Sequence, residues 1–176
     1  MKMAREVATR GTCARRQVGV VLVDENNYIL ATGHNGPASG WPHCRDNPGF
    51  ECPGVGSPSG TNLDACVANH SEISALLRCN DTSRIHTVYT TTSPCISCTK
   101  ALLCTGALRI VFDEEYPHPE AMRIWTKFPR TSKVRGLNSV HIQGEKTSLV
   151  ENRTWEHFNR GNSGRAIVVD SSEFKS

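Results

Sequence analysis

The stretch from Ile85 to Phe112, I-H-T-V-Y-T-T-T-S-P-C-I-S-C-T-K-A-L-L-C-T-G-A-L-R-I-V-F, changes its pattern twice. Ile85 to Thr91 is rich in β-branched residues and predicts a strand. Cys95 to Thr105, with Pro94 beside its first turn, predicts a helix, and Leu108 to Phe112 a second strand. Upstream, Gln17 to Val23 and Tyr28 to Gly33 flank the turn residues Asp24 to Asn27 and form a hairpin. An opening helix is expected from about Ala4 to Arg15, weakened near its end by Gly11. Another begins near Asn69-x-x-Glu72, with Ile73, Leu76 and Leu77 as its buried face. Downstream, a short helix from about Pro119 to Phe128 and a strand from Val140 to Gln143 follow. Helices alternating with strands after a hairpin give an α/β sandwich around a mixed sheet.

Composition sets the outer limits. The chain has 176 residues, of which 38% are hydrophobic, 21% charged and 6% aromatic, enough for one core of ordinary size. The expected organisation is a single domain over 1–176, with its motif-bearing core at about 4–143 and a C-terminal extension over 144–176. A formal charge of +3 suits an anionic small molecule and falls short of the basic stripe of an obligate nucleic-acid binder. Met1 to Arg16 carries five basic residues and no apolar run, and no segment approaches the length of a membrane span. The expected location is cytoplasmic. In a reducing compartment, eight cysteines point first to metal binding or catalysis.

The chemistry concentrates in His70-Ser71-Glu72 and Ser93-Pro94-Cys95-Ile96-Ser97-Cys98. Residues three apart on a helix share a face, so Cys95 and Cys98 can hold one ion together. His70 and Glu72, two apart, cannot chelate it as neighbours. The spacing separates a ligand from a helper. One imidazole and two thiolates leave the fourth tetrahedral position of a zinc ion open to water, the arrangement of a catalytic site. A carboxylate beside that water but off the metal can move protons, which is the role expected of Glu72. The helix start favours negative charge and helps keep both cysteines as thiolates. The alternative is a structural zinc knuckle with an unrelated core histidine, but such a site needs a fourth protein ligand and no second C-x-x-C exists.

H-x-E followed by P-C-x-x-C is the pattern of the zinc nucleobase deaminases. Over roughly Thr12 to Tyr116 the chain resembles the deoxycytidylate deaminase family of the cytidine-deaminase-like fold. The residues carrying the resemblance are Thr12-Cys13, Arg16 to Gly19, Thr32 to Pro37, Leu63-Asp64-x-Cys66, His70 to Leu76 and Ser93 to Cys98. The resemblance implies a three-layer α/β/α sandwich with a central mixed sheet of about five strands. It implies hydrolytic deamination of dCMP to dUMP and ammonia, supplying dUMP for thymidylate synthesis. It places Asn35 against the nucleotide's sugar and phosphate, the backbone around Ser71 and Ser93 on the pyrimidine, and Tyr116 near the nucleotide, although an aromatic at a strand end also serves simple packing. It further implies a homo-oligomer and nucleotide effectors, dCTP and dTTP with Mg2+. The family usually has Ala where Ser71 stands and Asn where Ser74 stands.

Some relatives carry a second, structural zinc, for which Cys13, Cys44, Cys52 and Cys66 are the candidate ligands and His43 a substitute. Such an ion would hold down the Gly/Pro-rich segment from His34 to Asn62. The same four residues also read as buried thiols. Cys79 and Cys104 are expected in the core, and Lys127 to Arg135 as a solvated face. Two further readings of function stay open: deamination of a free nucleoside or of cytosine in single-stranded nucleic acid, and a zinc-stabilised binding module without chemistry. A free carboxylate at position 72 favours the enzyme, and the absence of interleaved aromatic and basic residues argues against strand binding.

Overall fold

The computed structural model describes residues 1–44, 52–58, 61, 65–116, 119–128, 130–132, 149–158 and 165–169. Its elements in chain order are α1 (Lys2–Ala8), β1 (Gly19–Val23), β2 (Ile29–His34), α2 (Ser71–Leu76), β3 (Thr87–Thr92), α3 (Ile96–Leu103), β4 (Arg109–Glu114), α4 (Pro119–Lys127), β5 (Arg130–Ser132), β6 (Leu149–Glu151), β7 (Thr154–Phe158) and β8 (Ala166–Val168). Six strands make one sheet in the order β2-β1-β3-β4-β7-β8, and β5 pairs with β6 apart from it. β3, β4 and β7 run parallel, whereas β2 and β1 on one side and β8 on the other pair antiparallel. The sheet is therefore mixed, as expected. It has one strand more than the five anticipated, and its last two come from beyond Gly144. The expected strand Val140 to Gln143 lies outside the described residues.

β1, G-V-V-L-V, is buried along its whole length because helices cover both faces of the sheet. Val20 and Leu22 join the larger core with Ala75 of α2, Leu102 of α3, and Ala121, Met122 and Trp125 of α4. Val21 and Val23 point the other way, onto Ala4 and Val7 of α1. Alternation along one strand thus feeds two cores, and three helices on one face with one on the other make the α/β/α sandwich.

Two helices differ from expectation. α1 ends at Ala8 and does not reach Arg15, because Gln17 Nε2 donates to the carbonyls of Thr9 and Gly11 and holds the following chain in a turn. On α2 the buried side chains are Ser71, Glu72, Ser74 and Ala75, while Leu77 is 77% exposed and Ile73 and Leu76 are half-buried. The cause is Gly33 on β2: a Cβ there would lie 2.3 Å from the Ser71 carbonyl oxygen and 2.4 Å from the Ala75 nitrogen. With no side chain between them, the helix backbone rests on the strand through its small and polar face.

Candidate active site

His70 is the N-cap of α2 and Cys95 the N-cap of α3. Each follows extended backbone, so two helices begin side by side where β3 ends. A short bridge, Gly36 to Asn69, brings the loop after β2 against the same place, with N–H to carbonyl distances of 3.2 and 2.8 Å. His70 Nδ1 lies 3.3 Å from Cys95 Sγ and 3.4 Å from Cys98 Sγ. Among the described residues, these three form the group of metal-type donors whose atoms all lie within 4.8 Å of one another. A tetrahedral zinc ion, with bonds of about 2.0–2.1 Å to nitrogen and about 2.3 Å to sulfur, sets its ligand atoms about 3.5 Å apart.

The electrostatics fit the same reading. The Cys95 thiol is drawn down to about 4, first by the hydrogen bond from the Cys98 side chain and then, against burial, by His70 and the Cys98 N–H. Cys98, the donor in that pair, is pushed up, and His70 is raised by its bond to Cys95. Two protons converge on one thiolate. Replacing them by a cation leaves three lone pairs aimed at one point, so the donor set suits zinc.

Glu72 is 4% exposed and stands outside that trio. Burial raises its carboxyl above the usual range, opposed by its own N–H, the His70 charge and the Ser71 hydroxyl. Ser71 Oγ donates to Glu72 Oε2 at 3.0 Å. Ser93 Oγ accepts the Tyr116 N–H at 2.7 Å, and the Ser93 N–H donates to the Glu114 carbonyl at 2.8 Å, which ties the end of β3 to the end of β4. Asn35 has both ends of its amide engaged by backbone: Oδ1 accepts from Val18 N–H at 2.8 Å and Nδ2 donates to the Arg16 carbonyl at 2.7 Å.

These residues line one cleft, partly open to solvent. Asn35, His70, Ser71, Glu72, Ser93, Cys95 and Tyr116 all face it. Cys98 lies just behind. Arg15 and Arg16 also line it, two residues given no role from the sequence because they are two among the five basic residues of Met1 to Arg16.

The other four cysteines lie near one another more loosely. Cys52 Sγ is 4.0 Å from Cys66 Sγ. Cys44 is pushed up to about 11 by burial, by its hydrogen bond with Cys52, and by the charges of Cys52, Cys13 and Cys66. The N–H groups of Val67 and Gly54 point at Cys52 and outweigh its burial, lowering it, while burial raises Cys66. His43 is exposed and lines a separate polar cavity with Thr12, His34 and Arg78. Cys79 packs half-buried on the core. Cys104, expected inside, is exposed: it caps the last turn of α3, its thiol on the Lys100 carbonyl at 3.5 Å.

Residues 1–114 match the cytidine and deoxycytidylate deaminase zinc-binding region. The chain belongs to this family. It is similar to a deoxycytidylate deaminase of Saccharomyces cerevisiae, 34% identical over 118 residues, which are 66% of this chain and 36% of that protein. The chain thus spans about a third of that relative's length. A deoxycytidylate deaminase of Mycobacterium phage D29 is 34% identical over 117 residues, covering 64% of this chain and 90% of the phage protein. Among solved structures, a cyanophage S-TIM5 dCMP deaminase in complex with dCMP and dUMP superimposes with a TM-score of 0.53. It is 26% identical, over 70% of this chain and 84% of that one. Among the described residues no helix is long and apolar enough to cross a membrane.

Proposed function

We propose that this protein is a zinc-dependent deaminase that converts dCMP to dUMP and ammonia. One observation carries the reading: a buried carboxylate, Glu72, shares a cleft with three metal donors without being one of them. A structural zinc site has no use for such a group. His70, Cys95 and Cys98 would hold the ion, which when bound supplies the Lewis acidity that makes water a nucleophile near neutral pH. Glu72 takes one proton from the attacking water and delivers it to the ring nitrogen, then takes the proton left on the added hydroxyl and delivers it to the amine, which leaves as ammonia while the oxygen becomes the carbonyl of dUMP. Its raised affinity for protons suits a group that must both accept and return one. Ser71 holds the carboxylate by its Oε2. The backbone at Ser71 and Ser93 grips the pyrimidine, and Asn35 and Tyr116 border the rest of the nucleotide. The relatives named deoxycytidylate deaminase and the cyanophage enzyme seen with dCMP and dUMP support the substrate.

The proposal includes a single deaminase domain over 1–176, in the cytoplasm, self-associating and regulated by dCTP and dTTP with Mg2+. Eight free cysteines support a reducing compartment. It also includes a structural zinc on Cys13, Cys44, Cys52 and Cys66, supported by the approach of Cys52 to Cys66 and by the amides aimed at Cys52.

Ammonia release from deoxycytidine, dCMP and a single-stranded oligonucleotide at equal cytosine concentration tests the substrate. dCMP is expected to react at least about tenfold faster than the nucleoside, because the site's phosphate donors would otherwise stay unpaired. Faster release from the oligonucleotide, or none from any cytosine compound, overturns the reading. Metal analysis is expected to find two zinc ions per chain, and Cys44→Ser to remove one and lower the melting temperature. One ion in the fully active protein would leave the four thiols as core residues.

A further inference from the structure

Ser71, on the wall of the cleft, departs from the family, which usually has Ala there. The added oxygen sits where water does not reach: Ser71 is 1% exposed and Glu72 4%. A hydroxyl buried without a partner is destabilising, and this one has a partner, donating to Glu72 Oε2 at 3.0 Å. The two residues are the first and second of α2. Neighbours in a helix do not face one another, so the contact forms only when the Glu72 side chain turns toward Ser71. The metal donors are His70, Cys95 and Cys98, and the Ser71 hydroxyl is not among them.

A carboxylate has two acceptor oxygens, and a protonated carboxyl still accepts through the one that carries no hydrogen. With Ser71 donating to Oε2, a proton taken up by Glu72 belongs on Oε1. On Oε2 it would meet the Ser71 hydrogen and force the hydroxyl to turn and accept. On Oε1 it leaves the bond from Ser71 as it was, so that bond persists whether Glu72 is charged or neutral. The other groups facing the carboxyl differ in this respect. The Cys98 side chain offers no proton once its thiolate holds an ion, and the N–H of Glu72 itself is a backbone donor that is present whatever stands at position 71.

We propose that Ser71 is a positioning residue for the deamination, its hydroxyl fixing the Glu72 carboxyl and confining the carried proton to Oε1. This rests on the deaminase reading above. Both protons that leave the attacking water pass through Oε1, one to the ring nitrogen and one to the amine, and the proton of Ser71 stays on Oγ throughout. One oxygen held in one place serves every transfer, with no reorientation of the carboxyl between steps. The hydroxyl acts through Glu72, apart from the backbone contact with the pyrimidine.

The test compares steady-state kinetics with dCMP, calorimetric affinity for dUMP and zinc content in the wild type, Ser71→Ala and Ser71→Thr. Ser71→Ala installs the usual residue of the family and leaves the fold and the backbone at this position in place. Its kcat is expected to fall about 10- to 100-fold, with a larger solvent deuterium isotope effect on kcat as proton transfer slows. Its KM, dUMP affinity and zinc content stay within about twofold of wild type, the split expected when only a step after binding is lost. Ser71→Thr, with a hydroxyl on the same carbon, restores most of kcat. Should Ser71→Thr not fold, kcat and the isotope effect of Ser71→Ala decide alone. An unchanged kcat in Ser71→Ala overturns the inference, and so does a loss of zinc or of dUMP affinity alongside kcat, which would make the hydroxyl a support of the whole site. A wild type that deaminates another cytosine compound in place of dCMP sinks the substrate reading only, and the same comparison on that compound then decides the role of Ser71. A wild type that deaminates none sinks the deaminase reading and this inference with it.

Discussion

In the proposed mechanism, Glu72 is the residue on which catalysis and metal binding part company. Because it is buried beside the three donors and is not one of them, Glu72→Gln is expected to keep one zinc in the His70, Cys95 and Cys98 site while deamination falls by about two to four orders of magnitude. Metal analysis alongside the assay checks this, and loss of zinc together with activity would assign Glu72 to the ligand set instead. At this scale the sequence was informative where chemistry repeats locally. Cys95 and Cys98 sit three apart at a helix start, a spacing that is itself a metal signal. Arg16 and Asn35 have no such signal. Asn35 spends its amide on residues 17 and 19 positions away, and nothing in the chain separates Arg16 from Arg15 until the fold commits one of them to Pro58.

At the scale of elements, the seating of α2 on β2 governs the site, since His70 starts that helix. Gly33→Ala drives a methyl group into the α2 backbone, and the helix must lift. The expected cost is about 1–3 kcal/mol, with weaker zinc retention, measurable as a lower melting temperature and faster loss of metal to a chelator. An unchanged melting temperature would mean that the helix seats on β2 in another way. The sequence misassigned part of the inner face of this helix for the same reason: Leu76 packs half-buried on the core, but Leu77 is exposed. Ile73, Leu76 and Leu77 are its apolar residues, but a glycine on the facing strand selects a small and polar face, and that partner lies far along the chain. A second joint fixes β4 to β7: Arg109 donates to both carboxylate oxygens of Glu156 at 2.7 and 2.5 Å. Burial opposes ionisation of Glu156, but the bonds from Arg109 and Thr154 prevail and lower its pKa. Stability from a lowered carboxyl pKa is present above the unfolded value and lost as pH falls through the folded one. With Arg109 36% exposed, Glu156→Gln should cost about 1 kcal/mol at pH 7, discounted for screening. That difference from wild type should close below about pH 4, as followed by urea unfolding at several pH values. A gap independent of pH would place the cost in packing.

For the whole molecule, Trp125 joins layers. It is fully buried between α4 and the sheet, its Nε1 donates to the Thr154 carbonyl at 2.9 Å, and Arg153 lies 5.1 Å over its ring. Trp125→Ala is expected to remove about 3–5 kcal/mol, a large share of the stability of a domain this size, and Trp125→Phe about 1. Denaturant titration distinguishes them, and equal losses would show that the hydrogen bond, not the ring, is what matters. The sandwich was legible from alternating helices and strands. β7 was not: T-W-E-H-F buries Trp155 and Glu156 in succession, the second by pairing with Arg109, so no simple alternation marks it.

The order of strands also has a consequence in time. During synthesis residues leave the ribosome in sequence order, and every residue assigned to the cleft has emerged by Tyr116. Yet β4 stands at the open edge of the sheet until Thr154 to Phe158 follow, since β7 is its other neighbour. In that interval the nascent protein owns every residue assigned to the cleft but presents an unpaired strand, Ile110 to Phe112, and a tryptophan awaiting the Thr154 carbonyl. Such an edge recruits other chains. A messenger that stalls between these points would yield a product that carries the complete site and aggregates before it can use it.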